Sequence, residues 1–276
     1  MLVSIIIPTY NRASRLKRAI FSVLSQQNIE QIELIVVDDG STDDTREMIM
    51  SINDPRLIYL YQENRGVSSA RNRGIRQSRG ELIALLDSDD IWKQNKLSLH
   101  LKFHLEGQWE ISQTQEEWIL HGKRINPGLK HKKKAGWIFI PSLELCLISP
   151  SCVMFSRRLW EEMGPFDESL PACEDYDLWL RVTAHYPVGL FPVALVEKYG
   201  GHLDQLSRRI IGLDLYRIYA LLKIYRQPLP QEYKDAVIKQ IKQKGKIYIT
   251  GCIKRGKWEE AERIRQLIRN ITGLTI

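Results

Sequence analysis

Three features of the sequence predict an α/β fold, with a mostly parallel sheet flanked by helices and a helical C-terminal extension. Short apolar runs alternate with helical patterns through the first hundred residues. Two of those runs, residues 3–7 and 82–86, are almost continuously apolar, as in strands buried on both faces. Past Asp204 the strand signal disappears and helical periodicity takes over.

The first strand covers 3–7, and Leu16, Ala19, Ile20, Val23 and Leu24 then recur at helical spacing. A second strand at 33–37 ends in the turn sequence Asp38-Asp39-Gly40. Ser41 is placed to cap the next helix, with Asp44 three residues on in capping-box position. The third strand, 57–61, leads to a helix over 67–77 that Arg79-Gly80 closes. The fourth, 82–86, runs into Asp87-Ser88-Asp89-Asp90, after which Ile91-Trp92 opens a helical pattern with Asp90 as its cap. From 105 to 136 the pattern loosens into an excursion of hairpins or loops, holding Trp109, Trp118, Asn126-Pro127-Gly128 and the basic run 130–134. A returning strand at 151–155 precedes helices at 157–163 and 175–184. The tail reads as helices at 210–225, 231–245, 247–254 and 258–270, the last two shaped like one helical-hairpin unit.

With 276 residues the chain can bury a full core as one large domain, or one domain and an appendage. A hydrophobic content of 43% and a charged content of 26% are those of a globular protein, which excludes a disordered chain. The chain opens directly on a strand, so no secretory leader is expected. Its greasiest window, 137–155, is broken by Pro141, Glu144 and Pro150, so no membrane span is predicted. Cys146, Cys152, Cys173 and Cys252 lack metal-ligand spacing and are expected to be reduced, small buried hydrophobes. Charge is uneven: residues 201–276 hold 16 Lys and Arg against 7 Asp and Glu, and the remainder 24 against 26. Such a tail suits anionic lipid headgroups or another acidic surface, and equally a solvated helical face. Nucleic acid is not expected, because no zinc-finger, RNP-like or helix-turn-helix signature accompanies the charge.

This strand order delivers Thr9-Tyr10, Asp38-Asp39 and the acidic turn 87–90 to the carboxyl edge, where open α/β sheets bind ligands. Two aspartates one residue apart on a tight turn suit a hard divalent cation that also takes phosphate oxygens. The plainer alternatives are helix-terminal acids at 87–90 and turn chemistry, or a phosphoacceptor pair, at Asp38 and Asp39.

Six segments carry a resemblance to a known family. They are residues 3–12 (ending Pro8-Thr9-Tyr10-Asn11-Arg12), Val36-Val37-Asp38-Asp39-Gly40-Ser41-Thr42-Asp43 and Gly66-Val67-Ser68-Ser69-Ala70-Arg71-Asn72-Arg73-Gly74-Ile75. The others are Leu86-Asp87-Ser88-Asp89-Asp90, Gly164-Pro165-Phe166-Asp167-Glu168 and Glu174-Asp175-Tyr176-Asp177-Leu178-Trp179-Leu180-Arg181. In this order the chain resembles the family 2 glycosyltransferases of GT-A fold over about residues 1–207. The resemblance implies a nucleotide-binding half at 1–105, an acceptor-binding half at 106–207 and a basic helical extension at 208–276.

It also implies an inverting, Mn²⁺- or Mg²⁺-dependent transfer from a nucleotide-diphosphate sugar, UDP-hexoses being the commonest. The acceptor would be a hydroxyl of a glycan or lipid-linked saccharide in cell-surface polysaccharide synthesis, at the cytoplasmic face of the cell membrane. By the same resemblance Pro8, Thr9, Tyr10, Arg12 and Asp39 hold the nucleotide, and Arg71 pairs with a base carbonyl or diphosphate oxygen. Asp87 lies near the ribose, Ser88 is a further nucleotide- or donor-binding residue, Asp89 is on the metal, and Asp175 is the general base. Glu174 and Trp118 meet donor or acceptor sugar, and His202 ligates the metal or donates to a phosphate. Gln205-x-x-Arg208-Arg209 lacks the tryptophan of the processive synthases, which points to one sugar added per acceptor. Two other classes compete. A sugar-phosphate nucleotidyltransferase would need a glycine-rich loop after the first strand, where this chain has Pro8-Thr9-Tyr10. A nucleotide-sugar-binding scaffold with a degenerate site would use the basic tail, but the four aspartates 39, 87, 89 and 175 are all present.

Overall fold

The computed structural model describes every residue except Glu30, Pro127 and 202–209. Strands β1 (Val3–Thr9), β2 (Ile32–Asp38), β3 (Leu57–Tyr61) and β4 (Leu82–Leu85) pair in parallel, with β1 between β2 and β4. The second half of the sheet is mixed: β5 (Ile91–Trp92), β6 (Ile111–Leu120), β7 (Lys123–Ile125), β8 (Val153–Ser156) and β9 (Gly189–Gly200). The path is β3-β2-β1-β4-β8-β6-β9-β5, with β7 folded back on β6. Antiparallel β8 joins the halves, pairing β4 on one side and β6 on the other.

Both faces of the parallel half are covered, so every residue of β1 and β2 is buried. Successive side chains alternate between the faces. On one face Val3, Ile5 and Ile7 pack on Leu16, Ala19, Ile20 and Val23 of α1 (Ala13–Leu24), beside α2 (Thr45–Met50). On the other, Ile6, Ile35 and Val37 meet Ala70 and Ile75 of α3 (Val67–Gln77). The same face receives Leu178, Trp179 and Val182 of α7 (Glu174–Thr183). Three further helices are α4 (Lys96–Glu106), the single turn α5 (Phe139–Ser142) and α6 (Arg157–Met163).

The tail forms α8 (Asp214–Tyr225), α9 (Gln231–Lys254) and α10 (Trp258–Thr272). These do not stand apart. A third core joins them to Phe139 of α5 and to Tyr176 and Leu180 of α7. Thus α7 buries one side against the sheet and the other against the tail. Polar ties reinforce the contact, as Lys223 on α8 reaches Asp167 at 2.5 Å and the buried Asp177 of α7 at 2.8 Å.

Several sequence expectations need correction. Ile91-Trp92 is strand β5, held antiparallel to β9, and the helix begins only at Lys96. Asp90 therefore caps nothing: it is buried, accepting from Ser151 Oγ at 2.6 Å and from the Tyr199 N–H at 2.9 Å. The Ser41 cap does not form either. α2 starts at Thr45, bonded to Asp43, while Ser41 Oγ accepts the Asn11 N–H. The expected break near Gly245 is absent, and α9 is one continuous helix. Gly245 is instead a close-packing point, since a Cβ there would lie 3.0 Å from Ile276 and 3.1 Å from Ile268. The middle of the loosely patterned 105–136 stretch is the long strand β6 and its hairpin, and the twelve-residue β9 has no counterpart in the sequence expectation. No helix of the described residues is long and apolar enough to cross a membrane.

Candidate active site

The carboxyl ends of β1, β2 and β4 and the start of α7 supply the charged groups. Asp39, just past β2, is 4% exposed, and both its oxygens are engaged. Oδ1 accepts from Gln62 Nε2 at 2.7 Å and the Arg65 N–H at 2.9 Å, and Oδ2 from the Gly66 N–H at 2.8 Å. It thereby shapes the loop that launches α3, where Gly66 adopts φ +91°, a conformation that favours glycine. Asp38 is buried beside it, accepting from Tyr59 Oη and the Ser41 N–H.

One turn into α3, Arg71 is 4% exposed and bridges two carboxylates. Nη1 donates to Glu174 Oε1 at 2.6 Å and Nη2 to Asp87 Oδ1 at 2.8 Å, while the guanidinium lies 5.3 Å from the Phe166 ring centre. The guanidinium fork suits two acids held in fixed positions. Burial disfavours its charge, but Asp87 and Glu174 outweigh that and hold its pKa above the usual arginine value. Burial pushes Glu174 up; Arg71 opposes this and the adjoining Asp175 adds to it. α3 can deliver Arg71 here because it lies directly on the sheet, where a Cβ at Gly74 would sit 2.5 Å from Ile6 Cγ2.

The acidic turn is braced from beneath. Ser151 Oγ accepts the Asp87 N–H at 3.1 Å and donates to Asp90. Burial first, then the charges of Asp89 and Asp87, raise the Asp90 pKa well above the usual carboxylate range, against Lys198 and Ser151. Asp89 pairs with Arg12 Nη1 at 3.0 Å. Arg12 also lines an open cleft of about 420 Å³ with Asn11, Ser14, Arg15, Asp43 and Asp44. Asp175 is half-buried at the start of α7, its Oδ1 accepting the Tyr176 N–H at 2.7 Å. Cys173 before it takes the left-handed conformation, φ +60°, which turns the chain into the helix.

The structure thus gathers Arg12, Arg71, Asp87, Asp89, Glu174 and Asp175 along one connected edge. Pro8 and Thr9 end β1 and are buried, while Tyr10 beyond them is 41% exposed. Ser88 is buried and presents no open face. Trp118 is on β6: its Nε1–H donates to Glu116 at 2.7 Å, its ring tilts against His131, and Lys198 Nζ lies 5.8 Å from its centre. His202 and the Gln205–Arg209 stretch lie outside the described residues. Sequence reasoning passed over Ser151, Lys198 and Cys146. Lys198 on β9 donates to Ser149 Oγ at 3.1 Å, and Glu116, Asp90 and Asp87 hold its pKa above the lysine range despite burial. None of the three sits in a recognisable motif, and only Pro150 beside Ser151 hinted at a fixed turn.

Among the described residues no three His, Cys, Asp or Glu side chains converge on a metal position. Asp89 offers a hard oxygen donor at a partly open turn. That suits Mg²⁺ or Mn²⁺, which commonly take one or two carboxylates and complete their shell with phosphates and water.

Residues 4–163 match the family model described as glycosyl transferase family 2. An uncharacterized glycosyltransferase of Rickettsia bellii is 37% identical over 188 residues, 68% of this chain and 27% of its own length. The Escherichia coli protein named UDP-Glc:alpha-D-GlcNAc-diphosphoundecaprenol beta-1,3-glucosyltransferase WfgD is 34% identical over 182 residues, 66% of this chain and 69% of its own. The chain spans only 27% to 60% of the length of the Rickettsia relatives it matches. Among solved structures, S. aureus TarS 1-349 in complex with UDP-GlcNAc superposes with a TM-score of 0.79 at 19% identity, over 98% of this chain and 82% of that one. At that identity the likeness speaks for the fold.

Proposed function

The chain belongs to glycosyl transferase family 2, and from that premise we propose that it moves one sugar from a nucleotide-diphosphate sugar to an acceptor hydroxyl, inverting the anomeric centre. The observation that carries this reading is the buried Arg71, which joins the acidic turn at Asp87 to the α7 acid pair at Glu174. A donor bound across that tie has its diphosphate at the turn and its sugar beside Asp175.

The exposed Tyr10 ring takes the base over the loop that Asp39 organises. Asp87, Arg71 and Glu174 form a row of charged hydrogen-bonding groups for sugar and ribose hydroxyls. Asp89 would hold Mn²⁺ or Mg²⁺, which supplies positive charge to the departing nucleoside diphosphate. Arg12, now paired with Asp89, is placed to shift its charge to a phosphate oxygen. Asp175 takes the proton of the acceptor hydroxyl as that oxygen attacks. His202 remains a candidate ligand to the cation or a phosphate.

A UDP-hexose donor and a glycan or lipid-linked acceptor fit this reading, supported by the names of the E. coli and S. aureus proteins. The charge of the tail supports contact with an anionic membrane face as a peripheral protein. The domain division at residue 207 belongs to the same proposal. Asp175→Asn is expected to lower sugar transfer, or Mn²⁺-dependent hydrolysis of UDP-glucose or UDP-N-acetylglucosamine, by about 10²–10⁴-fold. UDP binding should be unchanged. A variant that keeps the wild-type rate would remove Asp175 from the chemistry.

A further inference from the structure

We infer that the thiol of Cys146 is a positioning residue for Asp175, fixing which carboxylate oxygen faces the acceptor hydroxyl. This rests on the assignment of Asp175 as the base. Cys146 lies in the segment between α5 and β8, and its Sγ is 3.6 Å from Asp175 Oδ2 and 3.3 Å from the Ile148 carbonyl oxygen. The single S–H is shared between these two acceptors. Burial, with the Asp175 charge adding to it, pushes the thiol pKa well above its ordinary value, so the group stays a donor. The other carboxylate oxygen, Oδ1, accepts the Tyr176 N–H. Tyr176 in turn donates its hydroxyl to the Leu143 carbonyl at 2.5 Å, on the segment that carries Cys146. One short stretch, 143–148, therefore grips α7 at the base itself and one residue beyond it.

The chemistry of the donor matters. A carboxylate that must collect a proton gives up least of its basicity when the groups orienting it donate weakly. A thiol is a weak donor, and a hydroxyl at the same place donates more strongly. Among the described residues the other charged and titratable groups around Asp175 and Cys146 include Glu174 and Tyr176 on α7, Arg71 on α3, Lys198 on β9 and the Cys173 thiol. Arg71 is bonded to Glu174 and Asp87, and the Cys173 thiol points to the Leu213 carbonyl at 3.7 Å. Cys146 is the side chain in hydrogen-bond reach of Asp175 Oδ2 among these.

The test compares Cys146→Ala, Cys146→Ser and Asp175→Asn by UDP release from UDP-glucose and UDP-N-acetylglucosamine with Mn²⁺, as a function of pH. UDP binding serves as the check on folding. Cys146→Ala is expected to lower kcat about three- to tenfold with KM little changed, the loss of one weak hydrogen bond. The acid limb of its kcat profile should move to higher pH, because a donor to the charged carboxylate has gone. Cys146→Ser should recover most of kcat and return that limb to wild-type pH or below. If Asp175→Asn abolishes release while Cys146→Ala keeps both the wild-type kcat and the wild-type acid limb, the thiol has no positioning role and the base assignment stands. If Cys146→Ala lowers kcat but Cys146→Ser does not restore it and neither limb moves, the effect is packing and the inference is wrong. If Asp175→Asn retains the wild-type rate, the base assignment fails and this inference falls with it.

Discussion

Lys96 is fully buried at the start of α4, its ammonium 3.8 Å from the Trp92 ring centre and without a hydrogen-bond partner. Burial pulls its pKa from 10.5 down to about 7; Cys152 opposes the shift and Lys133 adds to it. Above pH 10.5 neither the folded nor the unfolded lysine is charged. Between about 10.5 and 7 the unfolded chain binds a proton that the folded protein does not, so stability falls as pH falls through that window and levels off below it. Lys96→Met is expected to stabilise the protein at pH 7 by on the order of 2–4 kcal/mol and to flatten the dependence between pH 7 and 10. Urea unfolding at pH 7 and pH 9.5 measures both, and an unchanged or lower midpoint at pH 7 would contradict the burial cost. Nothing in the sequence marked Lys96, because its burial arises from β6 and β9 packing against α4. The acids differ in this respect: Asp87, Asp89, Glu174 and Asp175 were all legible, since strand ends and a helix start fix their place in any such fold. The hydrogen bonds of Asp39 were not legible, because they go to a loop whose path depends on the whole edge.

At the scale of elements, α3 connects the sheet to the site through one missing side chain. A methyl group at Gly74 would lie 2.5 Å from Ile6 and 3.1 Å from Val37, both fully buried in adjacent strands. Gly74→Ala is therefore expected to cost about 1–3 kcal/mol despite the better helix propensity of alanine. It should also weaken UDP binding, because α3 must lift and carry Arg71 with it. Thermal unfolding with and without UDP and Mn²⁺ checks this, and an Ala variant as stable as wild type would show that α3 does not lie so close. The parallel half of the sheet was readable because strands buried on both faces leave an unbroken apolar record. β9 was not, since its outward residues Pro192 and Val193 interrupt the alternation and its pairing with β6 and β5 makes it a strand. Gly245 misled for the opposite reason: glycine at a helix crossing looks, in sequence, like glycine at a helix end.

For the molecule as a whole, α9 carries an unpartnered basic stripe. Lys239, Lys242, Lys246 and Lys254 recur at helical spacing, are exposed, and take part in no ion pair among the described residues. Ile247 stands 57% exposed beside them, and residues 236–257 contain no acid. Each such lysine near an anionic lipid surface is worth about 1 kcal/mol. The intact protein is expected to co-sediment with phosphatidylglycerol vesicles at low salt, to release steeply as salt rises, and to lose at least tenfold in binding when Lys239, Lys242 and Lys246 become Glu. Binding to neutral phosphatidylcholine vesicles of equal strength would point away from charge.

The two-sided packing of α7 has a further effect. A helix clasped by the sheet through Leu178, Trp179 and Val182 and by the tail through Tyr176 and Leu180 makes a poor hinge. Any opening and closing falls to the rim, where β7 folds back on β6 at an exposed hairpin. Diversification has the same freedom: the rim can be rewritten while the acid pair at the start of α7 keeps its footing.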